Sequence, residues 1–299
     1  MRVLSLFDGI GCGQVALNSL GIYPEVCYAS EIDGYALRVS KRHFPNTIHL
    51  GDISTVKAHD VGDIDLLMGG SPCQSFSKSY SQSDRGFEGS SKLLWEYVRL
   101  FREVKPRYFL LENVIMRKEY VDLISKELGV RPIKINSSLF TGGQRNRLYW
   151  TNIPQTALPS TGSFQLSDYI DITHDGHRLS SLIQERYQTL EDADHKLIGH
   201  HSIIGTTAPS FRTVGQRDYV YGLHEGSLMG CLLASDYKQP KQIMLPSGEI
   251  RKITPTECER LMGLPLGYSA ELSDSQRYKA IGNGWQIDTI AHLLKYLSL

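Results

Sequence analysis

Apolar residues in the first half of the chain come in short unbroken runs separated by longer stretches with helical spacing. Val3 to Phe7, Val26 to Ser30, Ile64 to Met68 and Tyr108 to Leu111 read as buried strands. Helical spacing follows them: from a glycine-rich turn to Leu20, Asp33 to His43 closed by Pro45, Leu93 to Val104, and Tyr120 to Leu128. Ile48 and Leu50 lead into Gly51-Asp52-Ile53. Ile133 and Ile135 alternate as a strand, and Leu148 to Trp150 suits one arm of a hairpin. Strand, helix, strand, helix predicts an α/β fold, a parallel sheet with helices on both faces.

The texture changes after about residue 152. Ser, Thr, Gly, His and Asp become frequent and the periodicity fades, with Arg212-Thr213-Val214 and Tyr219-Val220-Tyr221 as candidate short strands. The region 153–251 is expected to be a small, irregular, β-leaning domain, and 1–152 plus 252–299 the larger one. From Thr254 the chain turns helical again. Thr254 as N-cap, Pro255 in the first turn and Glu257 three residues on make a capping box. A last helix is predicted from about Trp285 to Tyr296.

Composition narrows the class. Lys plus Arg equals Asp plus Glu at 32 each, so no global basic excess advertises a nucleic-acid partner. Cys12, Cys27, Cys73, Cys231 and Cys258 are odd in number and form no C-x-x-C, against a disulfide framework or a zinc site. His200-His201 has no cysteine or acidic partner at ligand spacing, so no metal is expected. No apolar run approaches the roughly 18 residues a bilayer span needs. The N-terminal stretch lacks signal-peptide anatomy. A cytoplasmic location, no membrane partner and a monomeric state are the expectation.

Candidate chemistry gathers where predicted strands end. Gly9-x-Gly11-x-Gly13 lies between a strand and a helix, and glycine there lets backbone approach a ligand. Glu31 ends the second strand, 18 residues after Gly13, the position from which an acid holds ribose hydroxyls. Together they point to an adenosine-type cofactor and leave a nicotinamide dinucleotide open. Asp52 suits an adenine amino group or a plain turn. Cys73 follows Pro72 in a polar, glycine-rich loop; the other cysteines read as buried hydrophobes. Glu112 ends a strand at the same rim. A carboxyl beside a cysteine nucleophile suits a ring that takes a proton while a thiolate attacks. Arg145 and Arg147 stand two apart before an apolar strand, so alternation points both to one face.

These residues resemble the C5-cytosine DNA methyltransferase family. The resemblance rests on Phe7-Asp8-Gly9-x-Gly11-x-Gly13, Glu31, Gly51-Asp52-Ile53, Gly69-Gly70-Ser71-Pro72-Cys73-Gln74, Glu112-Asn113-Val114, Gln144-Arg145-Asn146-Arg147, the Thr254–Pro265 segment and Gly282-Asn283-Gly284. They fall in the family's order along nearly the whole chain. The resemblance implies a Rossmann-like class I S-adenosylmethionine-dependent methyltransferase domain, with 153–251 as the target-recognition domain acting on double-stranded DNA. Phe7, Asp8, Gly9, Gly11, Glu31, Ile32, Asp52, Ile53, Pro72, Asn283 and Trp285 are implied to surround S-adenosylmethionine. Gln74 to Gly89 resembles the loop that closes over DNA. Arg212, Gln216, Arg217, Tyr219, Lys238 and Gln239 are of the types that read bases or hold phosphates.

The implied chemistry is specific. The target cytosine is flipped from the duplex, Cys73 adds at C6, and Glu112 binds the exocyclic amine and N3. Of Arg145 and Arg147, one meets the base's O2 and the other Glu112 or a phosphate. Two departures from the family pattern stand out. Gly143 occupies the position usually held by Gln, and Gly284-Trp285 follows Asn283 where Ser-Val is usual; that Trp resembles the de novo branch. Two rivals remain at this point. A tRNA-methylating relative carries Cys-Phe-Thr where this chain has Cys231-Leu232-Leu233, and a catalytically silent DNA-binding homologue tends to lose the cysteine kept here as Cys73.

Overall fold

The structure, a computed structural model, describes residues 1–72, 93–155, 157–159, 164–172, 220–223, 225–247 and 249–297. The chain divides into two compact units, one comprising Met1–Ser137, Arg145–Leu158 and Gly284–Leu299, the other Ser138–Gln144 and Pro159–Asn283.

The first unit is built on β1 (Arg2–Leu6), β2 (Val26–Ser30), β3 (Ile48–His49), β4 (Leu66–Gly70), β5 (Tyr108–Val114), β6 (Ile133–Asn136) and β7 (Asn146–Thr151). They form one sheet in the order β3-β2-β1-β4-β5-β7-β6. Neighbours are parallel from β3 to β5, whereas β7 runs antiparallel to both β5 and β6. The chain winds outward through β1, β2 and β3, then returns to place β4 on the other side of β1. The carboxyl ends of β1 and β4 therefore open a crevice, the place where α/β sheets bind ligands. The predicted parallel sheet is present, and the hairpin arm at Leu148–Trp150 is the core of β7.

Helices α1 (Cys12–Ser19), α2 (Gly34–His43), α3 (Ala58–Val61), α4 (Leu93–Val104) and α5 (Lys118–Leu128) connect these strands. Alternation along β4 assigns its two faces. Leu67 lies in the core shared with Leu94, Tyr97 and Val98 of α4 and Ile124 and Leu128 of α5. Its neighbour Met68 points the other way, against α1, where a Cβ on Gly13 would fall 2.6 Å from Met68 Cε. Burying each such aliphatic or aromatic side chain stabilises by about 1.5–3 kcal/mol. Trp150 is fully buried, and its indole N–H is satisfied by Ser125 Oγ at 2.9 Å. α2 is started and stopped by local chemistry. The Asp33 carboxylate accepts from the Tyr35 and Ala36 amides, and Lys41, Arg42 and His43 occupy the last turn, facing the negative end of the helix dipole.

The second unit holds β8 (Val220–Gly222), β9 (Gln242–Met244) and β10 (Ile250–Lys252), in the order β10-β9-β8, with α6 (Pro255–Leu261) and α7 (Asp274–Asn283). The last helix, α8 (Ile287–Leu294), belongs to the first unit and packs against α1. The capping box expected before α6 is present: Thr254 Oγ1 accepts from the Glu257 amide at 3.2 Å, and Glu257 Oε2 accepts from the Thr254 amide at 2.7 Å. Helix α7 is not among the predicted elements, although Ser273 and Gln276 mark its start; the Ser273 amide donates to Gln276 Oε1 at 3.1 Å. Residues 255–283 fall with the second unit by compactness, while the division by role expected from the sequence groups everything after 251 with the larger domain. The expected strand at Arg212–Val214 lies outside the described residues.

Candidate active site

The carboxyl ends of β1 to β5, with the start of β7, carry the candidate residues of the first unit. After β1, Phe7, Gly9 and Gly11 all have positive φ, 56°, 59° and 81°. Phe7 is the exceptional one, since a side chain disfavours this region. The turn is fixed from both sides. Asp8 is buried; Ser5 Oγ donates to one carboxylate oxygen at 2.6 Å and Ser40 Oγ of α2 to the other at 3.1 Å. Burial pushes the Asp8 carboxyl up to about 6, against the pull of those two hydroxyls and with a small push from Glu31. Gly11 is needed for space as well as φ, because a Cβ there would come within 2.9 Å of the Phe44 ring.

Glu31 follows β2. Its Oε2 accepts from the Gly9 amide at 2.8 Å, and its Oε1 from the Ile32 and Asp33 amides at 2.8 and 2.7 Å. Thus Glu31 ties the β2 end to the glycine turn and keeps an acceptor site on Oε2 for a ligand. Ile32 beside it is 72% exposed, an unusual amount of free aliphatic surface next to a fixed carboxylate. Asp52 is exposed and caps the turn at Ile53–Thr55 by accepting from the Ser54 amide at 2.9 Å; bonds from the Ser54 amide and hydroxyl hold its carboxyl below the usual range. Ile53 is buried in the core, so its side chain packs rather than faces solvent. A Cβ at Gly9 would meet nothing within 4 Å. Open backbone, a ribose-type acid, exposed aliphatic surface and a second acid on the neighbouring turn fit an adenosine cofactor.

The second group lies at β4, β5 and β7. Gly70 and Glu112 are register partners in the parallel pair β4–β5. Glu112 faces Tyr149 across β5–β7, and Val114 faces Arg147. Alternation therefore puts Glu112 and Arg147 on one face as diagonal neighbours. Arg147 Nε lies 2.7 Å from Glu112 Oε1, with the side chains 13% and 10% exposed. The Trp285 indole N–H donates to Glu112 Oε2 at 3.3 Å. Asn113, next to Glu112, is 1% exposed and donates from Nδ2 to Ser71 Oγ at 3.0 Å, which ties the loop carrying Pro72 to β5.

Alternation along the sequence puts both arginines on one face; their partners in the structure differ. Arg145 precedes β7. Its amide donates to Asn136 Oδ1 at 3.0 Å, and its guanidinium, 7% exposed, donates to the Gly284 carbonyl at 2.8 Å. Asn113, Gly70 and Ser71 carry no individual signal in the sequence beyond the Glu-Asn-Val and Gly-Gly-Ser-Pro runs that contain them. Asn283 is the last residue of α7, in the second unit. Cys73, the Gln74–Gly89 stretch, His200, His201, Arg212, Gln216, Arg217 and Tyr219 lie outside the described residues. The four other cysteines are free thiols. Burial pushes Cys12 up to about 12 and raises Cys27 and Cys258 as well, which makes them poor thiolates. Cys231 is only half-buried. Among the described residues no group of His, Cys, Asp or Glu could hold a metal ion, and no helix is long and apolar enough to cross a membrane.

The model of the family described as C-5 cytosine-specific DNA methylase matches residues 1–119 and 144–298. The type II methyltransferase M1.ScrFI of Lactococcus lactis subsp. cremoris is 28% identical over 97% of this chain and 76% of its own length. The type II methyltransferase M.HhaI of Haemophilus parahaemolyticus is 29% identical over 98% of this chain and 93% of its own. Among solved structures, S. pombe Dnmt2 superposes with a TM-score of 0.72 at 19% identity, covering 99% of this chain and 98% of that one, a likeness of fold.

Proposed function

Because the chain belongs to the C-5 cytosine-specific DNA methylase family, we propose that Cys73 is its nucleophile and that Glu112, Arg145 and Arg147 complete the reaction centre. The activity itself is that of the family: methyl transfer from S-adenosylmethionine to C5 of cytosine in DNA. The observation that supports the residue assignment best is the Glu112–Arg147 pair at the carboxyl ends of the strands, the carboxylate fixed at both oxygens beside the loop that leads into Cys73.

Cytosine C5 is a weak nucleophile. The Cys73 thiolate adds to C6, which gives C5 enamine character. Glu112 holds the exocyclic amine and N3 and shares a proton with N3 as charge builds there. Arg147 balances Glu112 and keeps its oxygens directed. Arg145 holds the Gly284–Trp285 segment through the Gly284 carbonyl. When bound, S-adenosylmethionine supplies an electrophilic methyl group. Glu31 takes the ribose hydroxyls, Asp52 the adenine amino group, and Ile32 covers the adenine face. Phe7, Gly9 and Gly11 present backbone, with Asp8 buried beneath them. Ile53 supports the Asp52 turn from the core. Pro72 and Trp285 complete the binding site. A water then takes the C5 proton as the Cys73 thiolate is eliminated, which leaves 5-methylcytosine and S-adenosylhomocysteine.

The target base must leave the duplex stack to reach these groups. Residues 153–251 recognise a short double-stranded sequence, with Lys238 and Gln239 among the reading side chains. The enzyme works as a monomer in the cytoplasm.

Bisulfite sequencing of plasmid DNA from cells expressing the protein or its Cys73→Ala variant tests this reading. Protected cytosines in one short motif, absent with the variant, are expected. Full protection by Cys73→Ala overturns the assigned nucleophile.

A further inference from the structure

We propose that Trp285 is a positioning residue for Glu112, acting through its indole N–H on the carboxylate that handles the cytosine ring, in addition to bordering the cofactor. This inference rests on the reading of Glu112 as the residue that holds the ring.

The two oxygens of Glu112 have separate donors. Arg147 Nε meets Oε1 at 2.7 Å and Trp285 Nε1 meets Oε2 at 3.3 Å. One donor leaves a carboxylate free to turn about its last bond; two, on different oxygens, fix its plane. The Trp285 distance lies just beyond the ordinary N–H···O range, as catalytic hydrogen bonds commonly do before substrate tightens them. The neighbouring strand is shaped around this contact. Gly70, the register partner of Glu112, leaves the space that both groups use. A Cβ on Gly70 would lie 2.7 Å from Trp285 Nε1 and 2.9 Å from Glu112 Oε2.

The indole is also anchored at its other end. The Gly284 carbonyl just before it accepts from the Arg145 guanidinium at 2.8 Å. On the ring's far edge, Cζ3 lies 3.5 Å from where a Cβ of Gly13 would sit, at the start of α1. The ring thus reaches from the glycine turn to the Glu112 carboxylate. A residue that only walled a cofactor pocket would need the ring and not an N–H directed at a carboxylate. Arg145, remote in sequence from residue 284, acts on the same segment.

The test is a double-mutant cycle between Trp285→Phe and Glu112→Gln, read by single-turnover methylation and by calorimetric binding of S-adenosylhomocysteine. Loss of one hydrogen bond to a charged group predicts a fall in turnover of about tenfold for Trp285→Phe. Cofactor KM and S-adenosylhomocysteine affinity should stay within about twofold, since the ring survives. In the Glu112→Gln background, Trp285→Phe should cause no further loss. An equal loss in both backgrounds, a loss confined to cofactor KM, or unchanged turnover overturns the proposal. If Glu112→Gln keeps wild-type turnover, the assignment of Glu112 fails instead, and the two failures are distinct. Should Trp285→Phe not fold, benzothienylalanine at position 285 keeps the bicyclic shape, removes the N–H, and carries the same expectations.

Discussion

Glu112 and Arg147 are joined by a 2.7 Å contact between side chains that are each nearly buried. The contact follows from register: β7 runs antiparallel to β5, and the two residues are diagonal neighbours on one face. Removing Arg147 would strand a carboxylate with little water around it. For Arg147→Ala a stability loss of about 3 kcal/mol is expected, the lower end for breaking a buried pair from one side. Arg147→Lys keeps the charge but not the Nε geometry, so it should recover stability better than turnover. Urea unfolding with single-turnover methylation checks this. Equal recovery of both by Lys would mean that charge alone matters at this position.

Gly70 offers a different way to disturb the same carboxylate without touching it. In Gly70→Ala the new methyl would crowd Trp285 Nε1 and Glu112 Oε2. The backbone of β4 can accept alanine, because Gly70 is not among the glycines with positive φ. The protein should fold with a loss of about 1–3 kcal/mol, typical of overpacking, and turnover should drop by at least about tenfold. Wild-type turnover in a folded Gly70→Ala protein would show that the site tolerates a displaced indole.

Arg251 and Glu257 make a second buried pair, this one in the other unit, with contacts of 2.6 and 2.9 Å and side chains 1% and 2% exposed. Burial alone would raise the Glu257 carboxyl. Arg251 and the Thr254 and Asp171 amides outweigh it and hold the carboxyl below its ordinary value. Arg251→Met should cost about 3–5 kcal/mol because it leaves that charge unpaired. Arg251→Met with Glu257→Leu should cost less than the single change, with about 1 kcal/mol still lost from the helix cap. Because the folded value is depressed, the stability that Glu257 contributes is present above about pH 4.5 and fades below it. Equal losses in single and double variants, by denaturant titration, would contradict this account.

Much of this arrangement is legible in local pattern. Strands buried on both faces are unbroken apolar runs, so β1, β2, β4 and β5 stand out, and the ends of those runs put Glu31 and Glu112 at a rim. Helix α7 does not stand out because its residues, Asp274-Ser275-Gln276-Arg277, are mostly polar and its apolar stripe is thin. The capping pair Ser273 and Gln276 is the one local sign. Arg145 lies just before β7, which begins at Asn146, and no local pattern foretells that its guanidinium meets the Gly284 carbonyl, 139 positions away. The Trp285–Glu112 contact spans 173 positions. No local period encodes such a contact; it depends on α8 packing on α1 and so bringing residue 285 back to the sheet.

Asp8 gives the protein a stability contribution that runs against the usual acid lability of carboxylates. Its carboxyl is buried and accepts from the Ser5 and Ser40 hydroxyls. Burial, the largest cause, lifts it from 3.8 to about 6, and the Glu31 charge pushes in the same direction. The folded value therefore exceeds the unfolded one. Between the two, the native state binds more protons than the unfolded state, so this contribution is fully present below about pH 4 and is lost as pH rises through about 6. A rise of that size corresponds to at most about 3 kcal/mol. Asp8→Asn keeps the shape and removes the titration. The stability of wild type relative to Asp8→Asn should then fall by up to that amount between about pH 4 and pH 7, measured by urea unfolding across the range. Parallel curves for the two proteins would mean that the Asp8 carboxyl titrates alike folded and unfolded, and that the two hydroxyls offset burial completely.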